Sequence, residues 1–411
     1  MKKGNMLIAQ SGGPSMVINQ SLVGAVLAAK ALPAVGKIYG ALHGIQGILQ
    51  EQFIDLKKER RAVLEAVAKT PSSALGSVRR KPTPADCQAI FRVLRKLNIR
   101  YFFYIGGNDS AETVHIINEE AIKAEYGICC FHIPKTIDND LRESDHTPGY
   151  GSAARFVACA IKGDDLDNRA LGGVKIDVIM GRHAGFLTAA AALARQEADD
   201  GPHLIYLPER PFIVETFVKD VQAAMRKYGR CVVAVSEGIS DQDGVPMMAK
   251  FTQETDAHGN VQLSGSGALG DVLSKILKEK AGITRVRADT FGYLQRSFPG
   301  VAAERDAIEA RLVGVAAVQA AVNQEISSGS IAIQRKKTKQ YGVEFVVVPL
   351  RNVARETRHM PDEFINKAGN NVTQAFIDYA APLVGSLPPC ARLSQLKTLC
   401  KKSCVKSTRL K

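Results

Sequence analysis

The 411-residue sequence has no apolar run approaching the 18 or more residues of a membrane-spanning helix; stretches such as Leu187–Ala194 stop far short. The amino terminus lacks the apolar core of a secretory signal, because Lys2 and Lys3 precede only Met6–Ala9 before polar Gln10. Eight cysteines are too sparse for a disulfide framework, and Cys129-Cys130 sit inside an apolar run that reads as a buried strand. Cys390, Cys400 and Cys404 cluster without a nearby histidine, which argues against a zinc site. No repeat of short fixed period is visible, so solenoids and propellers are excluded. These absences point to a soluble protein of a reducing cytoplasm.

What is present suits a sizeable core: hydrophobic residues make up 45% and charged residues 23% of the chain. The length predicts two or three folded units. A net charge of +13 would suggest a polyanion partner, but its distribution argues otherwise. Residues 391–411 hold seven basic residues and no acid, leaving the body only mildly basic. The tail reads as a solvated end, and neither nucleic acid nor membrane is expected as a partner.

From residue 6 to about 240, short apolar runs alternate with helical patterns. Expected strands are Met6–Gln10, Tyr101–Ile105, Ile128–Ile133, Lys175–Met180, His203–Leu207 and Cys231–Val235. Expected helices include Met16–Lys30, Ala111–Lys123, Ala184–Gln196 and Glu215–Tyr228. Such alternation predicts an α/β fold with mainly parallel sheets flanked by helices. Ligands of such sheets collect outside the carboxyl ends of the strands. There the sequence reads Ser11-Gly-Gly-Pro14, Gly106-Gly-Asn-Asp-Ser110, Pro134-Lys-Thr-Ile-Asp-Asn-Asp140, Gly181-Arg-His-Ala-Gly185, Pro208-Glu209 and Ser236-Glu-Gly238.

The first two are strand–glycine–helix turns, whose free N–H groups favour phosphate oxygens. In Thr136-Ile-Asp138-Asn-Asp140, two carboxylates two residues apart point the same way in extended backbone, so one can take a proton while the other faces a cation. Phosphoryl transfer requires cations around the moving group and a base on the attacking hydroxyl. Lys135, Arg182 and a carboxylate supply these types, Arg79 and Arg80 offer a second phosphate clamp, and Arg287, Tyr293 and Arg296 suit a phosphorylated sugar. Gly265-Ser-Gly-Ala-Leu-Gly270 matches GxGxxG literally, but only Val261–Leu263 precedes it as a strand and no βαβ unit surrounds it, so dinucleotide binding is not expected there. His183 has no Ser or Cys partner in view and reads as a packing residue.

Taken in order from about Met6 to Gly300, these loops resemble those of the phosphofructokinases, and specifically the pyrophosphate-dependent branch. Similarity continues more weakly through Met360-Pro-Asp-Glu-Phe-Ile-Asn366. The resemblance implies two Rossmann-like lobes and reversible phosphoryl transfer from pyrophosphate to the 1-hydroxyl of fructose 6-phosphate. It puts Gly12, Gly13, Gly107, Asp109, Arg79 and Lys135 at the donor, and makes Asp138 the general base with Lys135 and Arg182 as catalytic cations. Thr136, Ile137, Asp138, Met180, Gly181, Arg182 and Glu237 would hold the sugar, with Tyr293 and Arg296 at its 6-phosphate. Arg287 matches a cation supplied by a neighbouring subunit, with Lys175 as another candidate, so a homodimer or homotetramer is expected. Magnesium is the expected cofactor, held largely by substrate phosphates near Asp140 and Asn108; the family's usual residue at the latter position is Asp.

ATP-using relatives carry glycine at the positions of Asp109 and Lys135. A carboxylate at 109 crowds and repels an α-phosphate, and a lysine at 135 suits a compact, highly charged donor. Two alternatives remain: an ATP-dependent enzyme, and a catalytically silent regulatory subunit of the same fold. The expected organisation is a donor lobe over 1–149 with a returning segment at 296–350, a sugar-phosphate lobe over 150–295, a helical extension over 351–390 and the basic tail over 391–411.

Overall fold

The computed structural model describes residues 3–80, 82–250, 267–338, 340–354 and 357–393. In chain order the strands are β1 (Gly4–Gln10), β2 (Val35–Ala41), β3 (Phe53–Asp55), β4 (Ile99–Gly106), β5 (Cys129–Pro134), β6 (Gly173–Ile179), β7 (Leu204–Tyr206), β8 (Arg230–Ser236), β9 (Val286–Thr290), β10 (Ser328–Arg335) and β11 (Val343–Val348). They form a seven-stranded sheet ordered β11-β10-β5-β4-β1-β2-β3 and a four-stranded sheet ordered β7-β8-β6-β9. The small sheet is wholly parallel; in the large one only the outer pairs β2/β3 and β10/β11 are antiparallel. The α/β class read from the alternating pattern is therefore the observed one.

Period-two alternation explains why the central strands read as continuous apolar runs. Met6, Ile8, Tyr101, Phe103, Cys129 and Phe131 pack on one face of the large sheet. Leu7, Ala9, Phe102, Tyr104 and Cys130 pack on the other. All six strands expected from sequence are present within a few residues. The helix expected over 184–196 instead divides into a short α-helix, Phe186–Ala189, and a tighter 3-10 turn, Ala190–Ala194. Arg195 then leaves in extended backbone, and its Nε donates to the Pro202 carbonyl at 2.8 Å.

Strand β9 escaped the sequence reading because it is an edge strand with an alternating, partly exposed pattern rather than an apolar run. Its register aligns Lys175 with Arg287 and Asp177 with Asp289. The Lys175 ammonium is engaged within its own chain by Asp289 and, at 3.3 Å, by Asp164. Of the GxGxxG match, residues 265 and 266 lie outside the described residues, as do Val261–Leu263, Cys400, Cys404 and most of the basic tail. Gly267 caps a helix, Ala268–Ala281. Among the described residues, no helix is long and apolar enough to cross a membrane.

Two helices tie the N-terminal strands to the later part of the chain. Helix Ile18–Lys30 crosses helix Glu304–Val322 through paired glycines: a Cβ on Gly24 would overlap the Arg311 carbonyl, and one on Gly314 would overlap that of Ser21. Asp306, on the second helix, accepts N–H bonds from Gly149 and Ser152, each at 2.8 Å, and so fixes the start of helix Tyr150–Leu171. Alanine at either glycine gains about 1 kcal/mol of helix propensity, but overpacking against backbone costs roughly 1–3 kcal/mol or more. Gly24→Ala and Gly314→Ala are therefore expected to lower the urea midpoint; an unchanged or raised midpoint would mean the crossing is not tight.

Candidate active site

The loops after β1, β4 and β5 meet those after β6, β8 and β9, so the two sheets offer their carboxyl ends to one site. Gly12 adopts φ +74°, and a Cβ there would stand 3.3 Å from the Lys135 Nζ. At Gly13 a Cβ would stand 3.2 Å from the Arg296 guanidinium carbon. The first glycine turn thus lies against two cations, one from each sheet. Ser77 holds it from outside, its hydroxyl donating to the Gly12 carbonyl at 2.5 Å.

Lys135 is only 4% exposed, and its ammonium donates to the Gly13 carbonyl at 2.5 Å. Burial and the neighbouring Arg296 push its pKa down to about 8; Asp138 and Asp140 oppose them, and Arg79 adds to the depression. Arg296 lies 4.6 Å from the Tyr293 ring centroid, and its own pKa is lowered by burial and by Arg79. Arg79 therefore belongs to this cationic group, whereas Arg80 turns away to a 2.8 Å ion pair with Asp86.

Beside the first turn, Gly107 caps helix Asn108–Lys123. Gly106 must be glycine, because a Cβ there would come within 2.6 Å of the Ser11 hydroxyl. Asp109 lies exposed in the first helical turn. The Asn108 Oδ1 is buried and has no hydrogen-bond donor. On the adjacent strand end, burial and the neighbouring Asp138 raise Asp140 to about 7. The donor-less Asn108 amide oxygen and the mutually repelling Asp138 and Asp140 carboxylates are hard oxygen ligands, of the kind that suits a divalent cation such as magnesium. Asp138 stays partly open, and its N–H bonds the Thr136 hydroxyl at 3.1 Å. Thr136 and Ile137 are buried, at 8% and 6% exposure, so their side chains support the loop more than they face solvent.

From the small sheet, Met180 donates its N–H to the Gln295 side chain at 3.3 Å, and Gln295 donates to the Gly292 carbonyl at 2.9 Å. Gly181, at φ +140°, accepts a 2.7 Å bond from the Ser236 hydroxyl. The next residue after Ser236, Glu237, is 6% exposed and interacts electrostatically with Arg296. His183 is in electrostatic contact with both Arg182 and Asp138, which brings the Met180–Arg182 turn to the carboxylate loop. A cavity of about 680 Å³ opens beside Arg182, His183, Glu209 and His359. Arg287 stands apart, exposed on the outer strand β9, with its guanidinium bonded to the Val286 carbonyl at 3.1 Å. Sequence reasoning missed Gln295, the fully buried brace between the ends of β6 and β9. Its one signal was an amide flanked by the exposed Leu294 and the basic Arg296.

A family model described as phosphofructokinase matches residues 5–321. The chain is 57% identical to the pyrophosphate–fructose 6-phosphate 1-phosphotransferase of Rhodospirillum rubrum, over 96% of this chain and 97% of that one. The enzyme of the same name from Xanthomonas campestris is 38% identical over 95% of this chain and 94% of its own. Among solved structures, the pyrophosphate-dependent phosphofructokinase of Marinobacter aquaeolei superposes with a TM-score of 0.82 at 34% identity, covering 95% of this chain and 94% of that one. With the match running through every loop of the site and nearly the full length of its relatives, the chain belongs to the phosphofructokinase family.

Proposed function

We propose that the protein transfers a phosphoryl group from pyrophosphate to the 1-hydroxyl of fructose 6-phosphate, giving fructose 1,6-bisphosphate and phosphate, in either direction. The observation that carries this reading is the Lys135 ammonium, buried against the Gly12-Gly13 turn with Arg296 and Arg79 around it and Asp138 nearby. Pyrophosphate is short and dense in charge, and a group of three cations around a glycine turn suits it. The Asp109 carboxylate at the mouth of the second turn disfavours the further phosphate of a nucleotide.

In this reading the donor lies along Gly12, Gly13 and Gly107, between Lys135 and Arg79. Met180, Gly181, Arg182 and Glu237 hold the sugar, and Tyr293 and Arg296 receive its 6-phosphate. Asp138 takes the proton from the 1-hydroxyl as that oxygen attacks. The P–O bond to the leaving phosphate breaks as the new one forms, and Lys135 and Arg182 balance the charge that builds up on the transferring and leaving oxygens. Asn108 and Asp140 would hold magnesium together with the substrate phosphates, and the ion would supply charge neutralisation on the donor. Arg287 serves the site of a neighbouring copy in a homodimer or homotetramer, which its exposure on the edge strand supports. A reducing cytoplasm fits the buried cysteines Cys87, Cys129, Cys130 and Cys231, none of which forms a disulfide.

Incubation with pyrophosphate, fructose 6-phosphate and magnesium should yield fructose 1,6-bisphosphate, detected by mass spectrometry; a folded protein giving none would defeat the proposal. Asp138→Ala should lower kcat by roughly 10²–10⁴-fold, the range for loss of a general base. Chelation of divalent ions should abolish turnover, and magnesium should restore it; activity that persists in excess chelator would remove the metal from the account. A lysine with a lowered pKa loses its charge as pH rises through that value, so kcat/KM for pyrophosphate should fall above pH of about 8. Lys135→Arg, which keeps its charge, should abolish that limb whatever its effect on the maximal rate.

A further inference from the structure

The carboxylates Asp138 and Asp140 ride on a loop, residues 135–149, that contains no helix or regular strand, so its backbone carbonyls need partners from elsewhere. Asn139 is fully buried in the left-handed region, at φ +61°, which asparagine tolerates better than most residues but which its neighbours must still hold in place. Within the loop, the Thr147 N–H donates to the Asn139 Oδ1 at 3.0 Å; the remaining contacts come from the C-terminal part of the chain, outside the stretch matched by the family model. The Arg358 guanidinium donates to three loop carbonyls: Asn139 at 2.8 Å, Ser144 at 2.6 Å and Asp145 at 2.9 Å. Its backbone N–H donates to a fourth, Asp140, at 2.7 Å, and the preceding Thr357 pairs with Leu141 as an antiparallel bridge.

A second residue closes the clamp. The Tyr379 hydroxyl donates to the Asp145 carbonyl at 2.6 Å and accepts from the Asn139 side chain at 2.6 Å. Arg335 holds Tyr379 in turn, bonding its carbonyl at 2.7 Å with the guanidinium 4.4 Å from the ring centroid. The Arg358 guanidinium lies 4.7 Å from the Phe186 centroid, which fixes the plane of its fork. Only a planar, multi-donor cation can serve three carbonyls spread over seven residues; a lysine would serve one or two.

We propose that Arg358, with Tyr379, is a positioning residue for the phosphoryl transfer: it sets the backbone of residues 139–145 and thereby the aim of Asp138 and Asp140. This rests on the reaction proposed above. The terminal guanidinium nitrogens of Arg358 and the Tyr379 hydroxyl are committed to the loop itself, so their loss should be felt in the chemical step rather than in sugar binding, which the proposed reaction assigns to Arg182, Glu237 and Arg296 on other strand ends. A base displaced by about 1 Å can lose roughly 10²-fold in rate.

The test compares wild type, Arg358→Gln, Arg358→Lys and Tyr379→Phe by steady-state kinetics and by amide hydrogen exchange. For folded Arg358→Gln, kcat should fall roughly 10- to 100-fold. The KM for fructose 6-phosphate should stay within about threefold, and exchange should quicken over residues 139–149 while β1 and β6 keep their protection. Arg358→Lys should recover little of the loss, because charge alone does not replace the fork. Should Arg358→Gln not fold, Tyr379→Phe, which removes one hydroxyl, should show the same split and the same local exchange at smaller amplitude. An unchanged kcat, a KM rising in step with a falling kcat, or unaltered exchange over 139–149 would each overturn the proposal. A wild type without pyrophosphate-dependent transfer would instead overturn the reaction, and the exchange data would still decide whether the clamp exists.

Discussion

A buried ammonium is costly unless negative charge or carbonyl oxygen surrounds it, and Lys135 is where this structure accepts that cost. Its Nζ leans on the Gly13 carbonyl, Arg296 and Arg79 repel it, and Asp138 and Asp140 attract it. A group so balanced has capacity for added anionic charge. On the proposed reading, pyrophosphate would relieve the repulsion among the three cations and draw binding energy from it. The ammonium also stands close against Gly12, where even a Cβ would come within 3.3 Å of it.

The fold makes this arrangement possible by pointing two parallel sheets at one place. The large sheet delivers the glycine turns and the carboxylate loop from β1, β4 and β5; the small sheet delivers the Met180 turn, Glu237 and Arg296 from β6, β8 and β9. Helix Glu304–Val322 joins them, with its glycine crossing against Ile18–Lys30 on one side and Asp306 gripping Gly149 and Ser152 on the other. Gln295 then locks the end of β6 to the loop after β9. The two halves of the site share a core, in which Met16, Val17 and Ile137 pack with Ile179, Met180 and Phe291, and they are braced again at their common edge.

Much of this was legible in the sequence for a simple reason: central strands of parallel sheets are apolar on both faces, and the polar loops after them stand out against those runs. Met6–Ala9, Tyr101–Ile105 and Cys231–Val235 announced themselves, and so did the Gly12, Lys135–Asp140, Arg182 and Glu237 loops. Edge strand β9 did not, because its Arg-Ala-Asp pattern buries one face only. Arg80 resembled a ligand cation until Asp86 claimed it. The support of the carboxylate loop was out of reach altogether: Arg358 and Asn139 are separated by 219 residues, and backbone carbonyls leave no mark on a sequence.

On the proposed reading, the cation group around Lys135 accepts a compact donor and refuses a nucleotide. Initial rates for the wild-type enzyme with saturating fructose 6-phosphate and varied pyrophosphate or ATP test it most directly. The account predicts a kcat/KM for pyrophosphate at least about 10³-fold above that for ATP, an electrostatic and steric discrimination of roughly 4 kcal/mol. Equal values, or a preference for ATP, would contradict it.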